Sequence, residues 1–168
     1  MVLSEHVIVM DKGRIMQQGH PQDIYSRPAN RFVAEFIGRS NWFEGRLLGK
    51  TLNNLSQFGL AAGGVLKVAA QAADMLVDSM ICVRPERISV EISDGRPAAE
   101  SAVEQGNDNV LSGKIAESQF AGAEVTYWVD LDIGARIVSV ENYAGQALGH
   151  PGQRVDVRFA PDSCICVP

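Results

Sequence analysis

The sequence predicts a mainly β protein, with a small β-barrel or sandwich as its larger part and a β-hairpin and two short helices before it. From residue 41 onward, short apolar stretches are separated by glycine-containing turns, a spacing typical of small barrels and sandwiches. Several later stretches alternate apolar with polar residues, most clearly Val155–Phe159, as half-buried strands do. Before residue 41, a hairpin pattern is followed by apolar residues at helical spacing.

Residues 6–19 predict the hairpin. Its first strand, Val7–Met10, is apolar at every position, so we expect it to be buried on both faces. Asp11–Gly13 forms the turn, because glycine adopts a positive φ without strain. The return strand is Arg14–Gln18.

The first helix is predicted to begin at Pro21, since proline fits the first helical turn, with Gly19 or His20 as its cap. Asp23 places a negative charge near the positive end of this helix. Pro28 ends the helix, because proline disfavours helical backbone at the residue before it.

The second helix is predicted from about Asn30 to Ile37, and Gly38 ends it. Its apolar residues recur at helical spacing and form one apolar stripe. That stripe consists of Phe32, Val33, Phe36 and Ile37.

The β region is predicted to contain eight strands, and the polar, acidic residues 93–109 between two of them predict a long surface loop. The predicted strands are Trp42–Leu48, Gly64–Ala69, Met80–Val83, Ile88–Ile92, Leu111–Glu117, Val125–Leu131, Arg136–Val140 and Arg154–Phe159.

A short internal repeat suggests that the β region is built from two similar units. Asn41 stands four residues before Gly45, and Asn109 stands four residues before Gly113. In both places a basic and then an aliphatic residue follow the glycine. We expect each copy to open a strand that starts a β-unit.

Composition excludes several functions. The 168 residues carry a net charge of −5, from 15 basic and 20 acidic residues, which argues against nucleic-acid binding because that needs clustered Lys and Arg. No apolar run approaches the roughly 20 residues of a membrane span, and the first residues do not form a signal peptide. We find no nucleophile, base and acid at catalytic spacing.

Three cysteines allow two interpretations. Cys164 and Cys166 are two apart in a predicted strand, so their side chains point to one face. They form either a thiol pair or, as we favour, part of an apolar core. Cys82 is the third, and no other Cys or His cluster has metal-ligand spacing. A reduced, cytoplasmic protein is the simplest interpretation.

The first 41 residues carry a consecutive set of motifs that resembles the end of the ATPase domain in ATP-binding subunits of solute importers, the maltose, iron and polyamine group. In those subunits an apolar strand, a Gly turn, Gln-x-Gly, a Pro-x-x-Ile-Tyr helix and Phe-Val-Ala-x-Phe-Ile-Gly follow one another. Here the matching residues are Val7–Met10, Gly13–Ile15, Gln17-x-Gly19, Pro21-x-x-Ile24-Tyr25, Pro28–Asn30, Phe32–Gly38 and Asn41.

The same resemblance divides the chain into residues 1–38, the C-terminal remnant of the ATP-binding cassette domain, and residues 39–168, an OB-like accessory domain known as the transport-associated OB domain. The second part is similar to that domain in its Arg-Pro-Glu motif and in later strands. These matches lie at Val83–Glu86, Phe120–Tyr127, Gly152–Val157 and Phe159–Asp162. They favour the polyamine and iron members slightly.

The resemblance implies a regulatory and dimerisation domain of an importer ATPase that itself holds no ATP. The chain lacks Gly-x-x-x-x-Gly-Lys-[Ser/Thr], whose backbone and Lys hold phosphates, and it lacks the Leu-Ser-Gly-Gly-Gln motif. No cofactor is therefore expected in this chain, whereas the parent subunit would use ATP and magnesium. A homodimer, transmembrane permease subunits as partners, and a cytoplasmic position peripheral to the inner membrane follow from the same resemblance, with no direct insertion into the membrane.

A free-standing module that binds a small oxyanion, of the molybdate-binding type, is the alternative function. It shares the fold, and Ser40, Asn41 and Gly45 are similar to the start of such modules. The ATPase-like residues before them have no place in that interpretation.

Four residues are candidates for a regulatory or interface role. Arg84 and Glu86 line either a regulatory pocket or a subunit contact; alternatively, Pro85 stiffens a turn and the two charges flanking it are solvated. Trp42 and Trp128 are more typical of core or interface anchors than of ligand platforms. Trp42 is placed to pack against the helix that carries Phe32 and Phe36.

The apolar strand Val7–Met10 also predicts self-association, since strands that would cover it are absent from this sequence. Pairing with a second chain satisfies its backbone N–H and C=O groups. We therefore expect a homodimer, with residues 6–18 or the β domain at the interface.

Overall fold

A computed structural model of the chain describes residues 5–50, 55–69, 80–93 and 107–167. It contains two helices, α1 (Pro21–Ser26) and α2 (Arg31–Ile37), and short 3-10 turns at Pro85–Arg87 and Pro161–Ser163. The strands are β1 (Val7–Asp11), β2 (Arg14–Gly19), β3 (Asn41–Lys50), β4 (Leu55–Leu60), β5 (Val65–Ala69), β6 (Met80–Val83), β7 (Ser89–Ile92), β8 (Asn109–Phe120), β9 (Glu124–Leu131), β10 (Arg136–Asn142), β11 (Arg154–Phe159) and β12 (Ile165–Val167). The mainly β, OB-like fold class is confirmed.

The hairpin β1–β2 forms as predicted, but only one of its faces is buried. Lys12 and Gly13 both have positive φ, 46° and 78°, as a type I′ turn requires. Val9 is buried, whereas Ile8 and Met10 are 50% and 54% exposed. The expectation that β1 is buried on both faces was therefore wrong, because the two-stranded sheet packs against the helices on one side only.

The helix α1 begins at Pro21 as predicted, and α2 begins at Arg31, one residue after the predicted start at about Asn30. His20 caps α1 and its Nδ1 accepts from the Gln22 N–H at 3.4 Å. Asn30 caps α2 and its Oδ1 accepts from the Val33 N–H at 3.0 Å.

The apolar stripe of α2 is not one buried face. Val33 and Ala34 are buried against the hairpin and α1. Phe32 and Phe36 are exposed, Phe36 by 64%, and their rings stack on each other with centroids 6.1 Å apart. The small hairpin covers only one side of this short helix, so the second side faces solvent.

The β region consists of two five-stranded antiparallel sheets. Their strand orders are β12-β6-β3-β4-β5 and β10-β9-β8-β11-β7. Each sheet therefore contains four strands from one half of the region and a fifth from the other half, β12 in the first and β7 in the second. This exchange of strands ties the halves together around one shared apolar core.

The internal repeat corresponds to two units of the same design. Asn41 and Asn109 each begin the first strand of a unit, and that strand is bulged seven residues later, at Leu48 and at Ala116. Each unit then supplies three more strands, a 3-10 turn that begins with proline and the exchanged strand. A sequence match at four positions thus indicated a structural duplication that extends through each half of the β region.

All eight predicted strands are present. Met80–Val83 and Arg154–Phe159 agree residue for residue, and six others overlap observed strands that differ at their ends. The strand β4 was not predicted, because it contains Gly59 and two polar residues. The bounds of the three-residue strand β12 were not predicted either. Most of the predicted loop 93–109 lies outside the described residues.

The cysteines belong to the core, as we favoured. All three are free thiols. Cys164 lies in the shared core just before β12, and Cys166 packs against that core from β12 itself.

Candidate functional site

Arg84 occupies the junction between the helices and the β domain. It follows the last residue of β6 and precedes the 3-10 turn that begins at Pro85. Its residue is only 1% exposed, which makes it the largest fully buried side chain described. Burying a guanidinium is costly unless its donors find acceptors, so its partners explain its position.

The guanidinium of Arg84 binds backbone oxygens at the ends of both helices. Nη2 donates to the Tyr25 carbonyl of α1 at 3.3 Å. Nη1 lies within hydrogen-bond distance of four oxygens, more than its two N–H groups satisfy at one time. These are the carbonyls of Ala34 (2.9 Å), Gly38 (3.2 Å) and Arg39 (3.2 Å) and the hydroxyl of Ser40 (2.6 Å).

Among the described residues no carboxylate pairs directly with Arg84, and these oxygens stabilise its positive charge. The C-terminal ends of helices carry unpaired carbonyls and partial negative charge, and Arg84 meets those of α1 and α2 together. The Tyr25 ring covers the guanidinium, with its centroid 4.3 Å from Cζ, a cation–π contact. One side chain of the β domain thus fixes the position of two helices.

Tyr25 and Glu86 form a second connection across the same junction. The Tyr25 hydroxyl donates a hydrogen bond to Glu86 Oε1. Burial, and then the neighbouring Glu86 carboxylate, raise the pKa of Tyr25 to about 12, so the phenol stays a protonated donor at neutral pH. Burial likewise raises the pKa of the nearby Cys82 thiol.

The structure corrects one interpretation of the Arg-Pro-Glu motif. The interpretation as a turn whose two flanking charges are both solvated is wrong for Arg84, which is buried, and correct for Glu86, which is exposed. The motif joins two parts of the same chain. A regulatory or subunit contact at these residues stays a prediction.

The two tryptophans lie on different sheets. Trp42, on β3, is half-buried, and the Arg31 guanidinium of α2 lies 5.1 Å from its ring centroid. The contact that the structure gives between Trp42 and α2 is therefore with Arg31, where Phe32 and Phe36 were expected. Trp128 is half-buried on β9, on the face opposite to that strand's core residues, and the structure does not bring it to Arg84.

Asn41 and Asn109 hold the two halves of the β domain together, a role that the sequence analysis did not assign. Asn41 Nδ2 donates to the Val138 carbonyl at 2.8 Å, and the Val138 N–H donates to Asn41 Oδ1 at 2.7 Å. Asn109 makes the same pair with Lys67, at 2.9 and 2.7 Å. Each amide side chain thus pairs with an edge strand of the opposite sheet, as the backbone of another strand would. The sequence repeat that contains both asparagines was the signal from which this role could have been predicted.

The junction, as far as the structure describes it, consists of contacts between the helices and the β domain and holds no cluster of metal-ligating side chains. In the described ranges, no group of three or more His, Cys, Asp or Glu side chains is placed to hold a metal ion. No helix among them is long and apolar enough to cross a membrane. The interactions of Arg84 and Tyr25 instead connect α1 and α2 to the β domain.

The comparisons with known proteins agree with one another on the family. Residues 81–167 match the model of the TOBE domain. The chain is 35% identical over 170 residues to the spermidine/putrescine import ATP-binding protein PotA of Methylococcus capsulatus, covering 99% of this chain and 41% of that protein. It is 27% identical over 162 residues to the Fe(3+) ions import ATP-binding protein FbpC of Fusobacterium nucleatum, covering 96% of this chain and 39% of that protein. The chain thus spans about two fifths of the length of these relatives.

A solved structure shares the fold. The cytoplasmic molybdate-binding protein ModG, in a crystal form with molybdate bound, superposes with a TM-score of 0.57. The match covers 76% of this chain and 96% of that one, at 17% sequence identity.

Proposed function

The chain belongs to the TOBE-domain family and resembles importer ATP-binding subunits along its length, and we propose that it serves as the accessory and regulatory region of such a subunit. Residues 1–38 would be the end of the ATP-binding domain and residues 39–168 the accessory domain. The transported solute would be a polyamine or iron, as the names of the relatives suggest.

The Arg84 junction is the observation that carries this proposal. The motifs that resemble an importer ATPase end at Gly38, and the Gly38 carbonyl is one of the groups that Arg84 binds. A regulatory domain must sense or impose the position of the ATPase domain. A buried cation that fixes the ends of α1 and α2 supplies that connection.

The proposal includes partners and a location. The subunit would act as a homodimer bound to transmembrane permease subunits, on the cytoplasmic face of the inner membrane. ATP and magnesium would bind in the part of the subunit that this sequence does not contain, because the phosphate-binding motifs are absent here. The chain itself would bind neither.

The oxyanion-binding alternative is supported by the fold that the chain shares with ModG. Fold alone does not carry a ligand from one protein to another. The helices docked on Arg84, and relatives that match 99% of the chain, favour the importer.

A chimera tests the proposal. The matching C-terminal region of the Methylococcus capsulatus protein is replaced by this chain, and spermidine uptake is measured in cells that lack their own ATP-binding subunit. We expect uptake to be restored to within a fewfold of the parent protein. A stable, membrane-associated chimera that gives no uptake, together with calorimetric binding of molybdate by the isolated chain, would favour the oxyanion module.

A further inference from the structure

A cleft of about 710 Å³ opens between the two proline-started turns, Pro85–Arg87 and Pro161–Ser163. This volume lies within the range of small-molecule and peptide sites, about 300–1,000 Å³. Buried Arg158 and Phe159 line it, while Glu124 and Asp162 are exposed at its rim. The cleft borders the Arg84 junction at Glu86, which accepts a hydrogen bond from Tyr25, and the inference drawn from it does not depend on the importer role.

The charges of the cleft favour a cation. Five carboxylates line it against two guanidinium groups, and a wall of one sign concentrates ligands of the other. The seven groups are Glu86, Asp108, Glu124, Glu141 and Asp162, and Arg87 and Arg158. A metal ion does not fit, because the described part of the chain holds no cluster of three metal-ligating side chains.

Arg158 adds a requirement for an oxygen acceptor. Its side chain is 8% exposed, and its Nε donates to Glu91 Oε2 at 3.2 Å. Its Nη1 is buried without a hydrogen-bond partner. Buried donors in native proteins nearly always have a partner, and this N–H is free to take an acceptor from a ligand in the cleft. Ser56 Oγ and Arg84 Nε are the other buried side-chain atoms without a partner in the described structure, and neither residue lines the cleft.

Two simple ligand classes meet only one of these requirements. A polyamine supplies positive charge, but its ammonium groups donate and do not accept, so Arg158 Nη1 would stay unpaired. A phosphate or carboxylate ligand accepts, but the five carboxylates repel it. A peptide with Lys or Arg side chains meets both, since every residue carries a carbonyl acceptor.

We infer that this cleft binds an extended, Lys- or Arg-bearing peptide segment of a partner protein. A main-chain carbonyl accepts from Arg158 Nη1, and the basic side chains lie among the rim carboxylates. Nη1 is buried, so the guanidinium of Arg158 must turn towards the cleft for this contact to form.

The test is an NMR titration of the full ¹⁵N-labelled chain with the amidated peptide acetyl-Gly-Lys-Gly-Lys-Gly-Lys. Spermidine, which carries the same three positive charges without carbonyls, is the matched ligand. We expect amide shifts at Ser89, Val140, Arg158 and Ser163, and roughly tenfold tighter binding of the peptide than of spermidine, the value of one hydrogen bond to a charged group. Equal or tighter binding of spermidine, or shifts outside the cleft, would overturn the inference.

Variants assign the effect to the cleft. Glu124→Gln and Asp162→Asn, at exposed rim positions, are each expected to weaken peptide binding about two- to fivefold. Arg158→Lys is expected to remove the preference for the peptide over spermidine. Asp130→Asn removes an exposed carboxylate paired with Arg136 away from the cleft and is expected to leave binding unchanged. If Asp130→Asn weakens binding as much as Glu124→Gln, the peptide is attracted by the net charge of the protein and does not bind at this cleft. The comparison of the rim variants with Asp130→Asn decides this even if Arg158→Lys fails to fold.

Discussion

At the scale of single residues, Arg84 carries more of the architecture than any other side chain described. Its burial is stabilised by carbonyl groups at the ends of two helices and by the Tyr25 ring. Nη1 has more acceptors within reach than it has N–H groups. Loss of one of these contacts therefore leaves Nη1 paired, whereas Nε of the same guanidinium is buried without a hydrogen-bond partner.

Replacing Arg84 by Met should release α1 and α2 from the β domain. The change leaves several carbonyls without a donor, and we expect the docking to weaken by about 2–3 kcal/mol. Native-state hydrogen exchange would show faster exchange in residues 21–37 while β8 and β11 keep their protection. Arg46→Met, at an exposed position of β3, is the control; equal exchange in all three proteins would show that Arg84 does not hold the helices.

Cys164 predicts a dependence of stability on alkaline pH. Burial raises the pKa of this thiol to about 12, from 9.0, so the unfolded chain loses the proton first as the pH rises. The contribution of Cys164 to the free energy of unfolding is fully present below pH 9. Above pH 9 the free energy of unfolding falls by about 1.4 kcal/mol per pH unit towards pH 12. Urea unfolding at pH 8, 9 and 10 should show this fall in the natural chain and a shallower one in Cys164→Ala. Parallel curves for the two proteins would argue against it.

At the scale of secondary-structure elements, the repeat explains why two glycines stand where they do. A Cβ on Gly113 would lie 2.6 Å from the Asp130 carbonyl oxygen, and a Cβ on Gly45 would overlap the Gly59 carbonyl oxygen even more closely. Both glycines let the first strand of a unit approach the second. Close packing of the backbone therefore requires glycine at positions 45 and 113 of the repeat.

Gly45→Ala should therefore destabilise the β domain by about 2–4 kcal/mol, within the range of overpacking at a rigid site. Gly59→Ala is the matched control on the adjacent strand. The three atoms nearest to its Cβ would all belong to the exposed Leu48 side chain, at 3.0 Å or more, and that side chain can move. Thermal unfolding measures both, and equal losses would contradict the packing argument.

The sequence predicted the strands and helices more accurately than it predicted which of them pair or pack together. The start of α1 at Pro21, with His20 as one of two proposed caps, and the alternation of Val155–Phe159 are local signals, so they were predicted correctly. The exchange of β7 and β12 between sheets depends on contacts between distant residues, as does the burial of Arg84. A charged residue beside proline has the same local pattern in a solvated turn as in a buried joint, and only the fold distinguishes them.

At the scale of the whole molecule, the N-terminal hairpin has an apolar face without a cover in the described structure. Ile8, Met10 and Ile15 are all at least half exposed, and Met10 lies opposite Ile15 in the ladder. Exposed apolar strands of this kind pair with other chains.

We predict that the chain self-associates through this face or through the β domain. Light scattering at tens of micromolar should give about twice the 18.2 kDa chain mass. The double variant Ile8→Lys, Met10→Lys should weaken association if the hairpin carries it. A monomeric mass for the natural chain would remove the prediction.

The central claim is that Arg84 couples an ATPase domain to this TOBE domain. The most direct measurement is ATP hydrolysis and spermidine uptake by the Methylococcus capsulatus chimera, reconstituted with its permease in vesicles, with Arg84→Met compared with Arg46→Met. We predict that Arg84→Met lowers the solute transported per ATP at least threefold without changing the affinity for ATP, while Arg46→Met matches the unsubstituted chimera. Equal transport per ATP in all three proteins would contradict the claim.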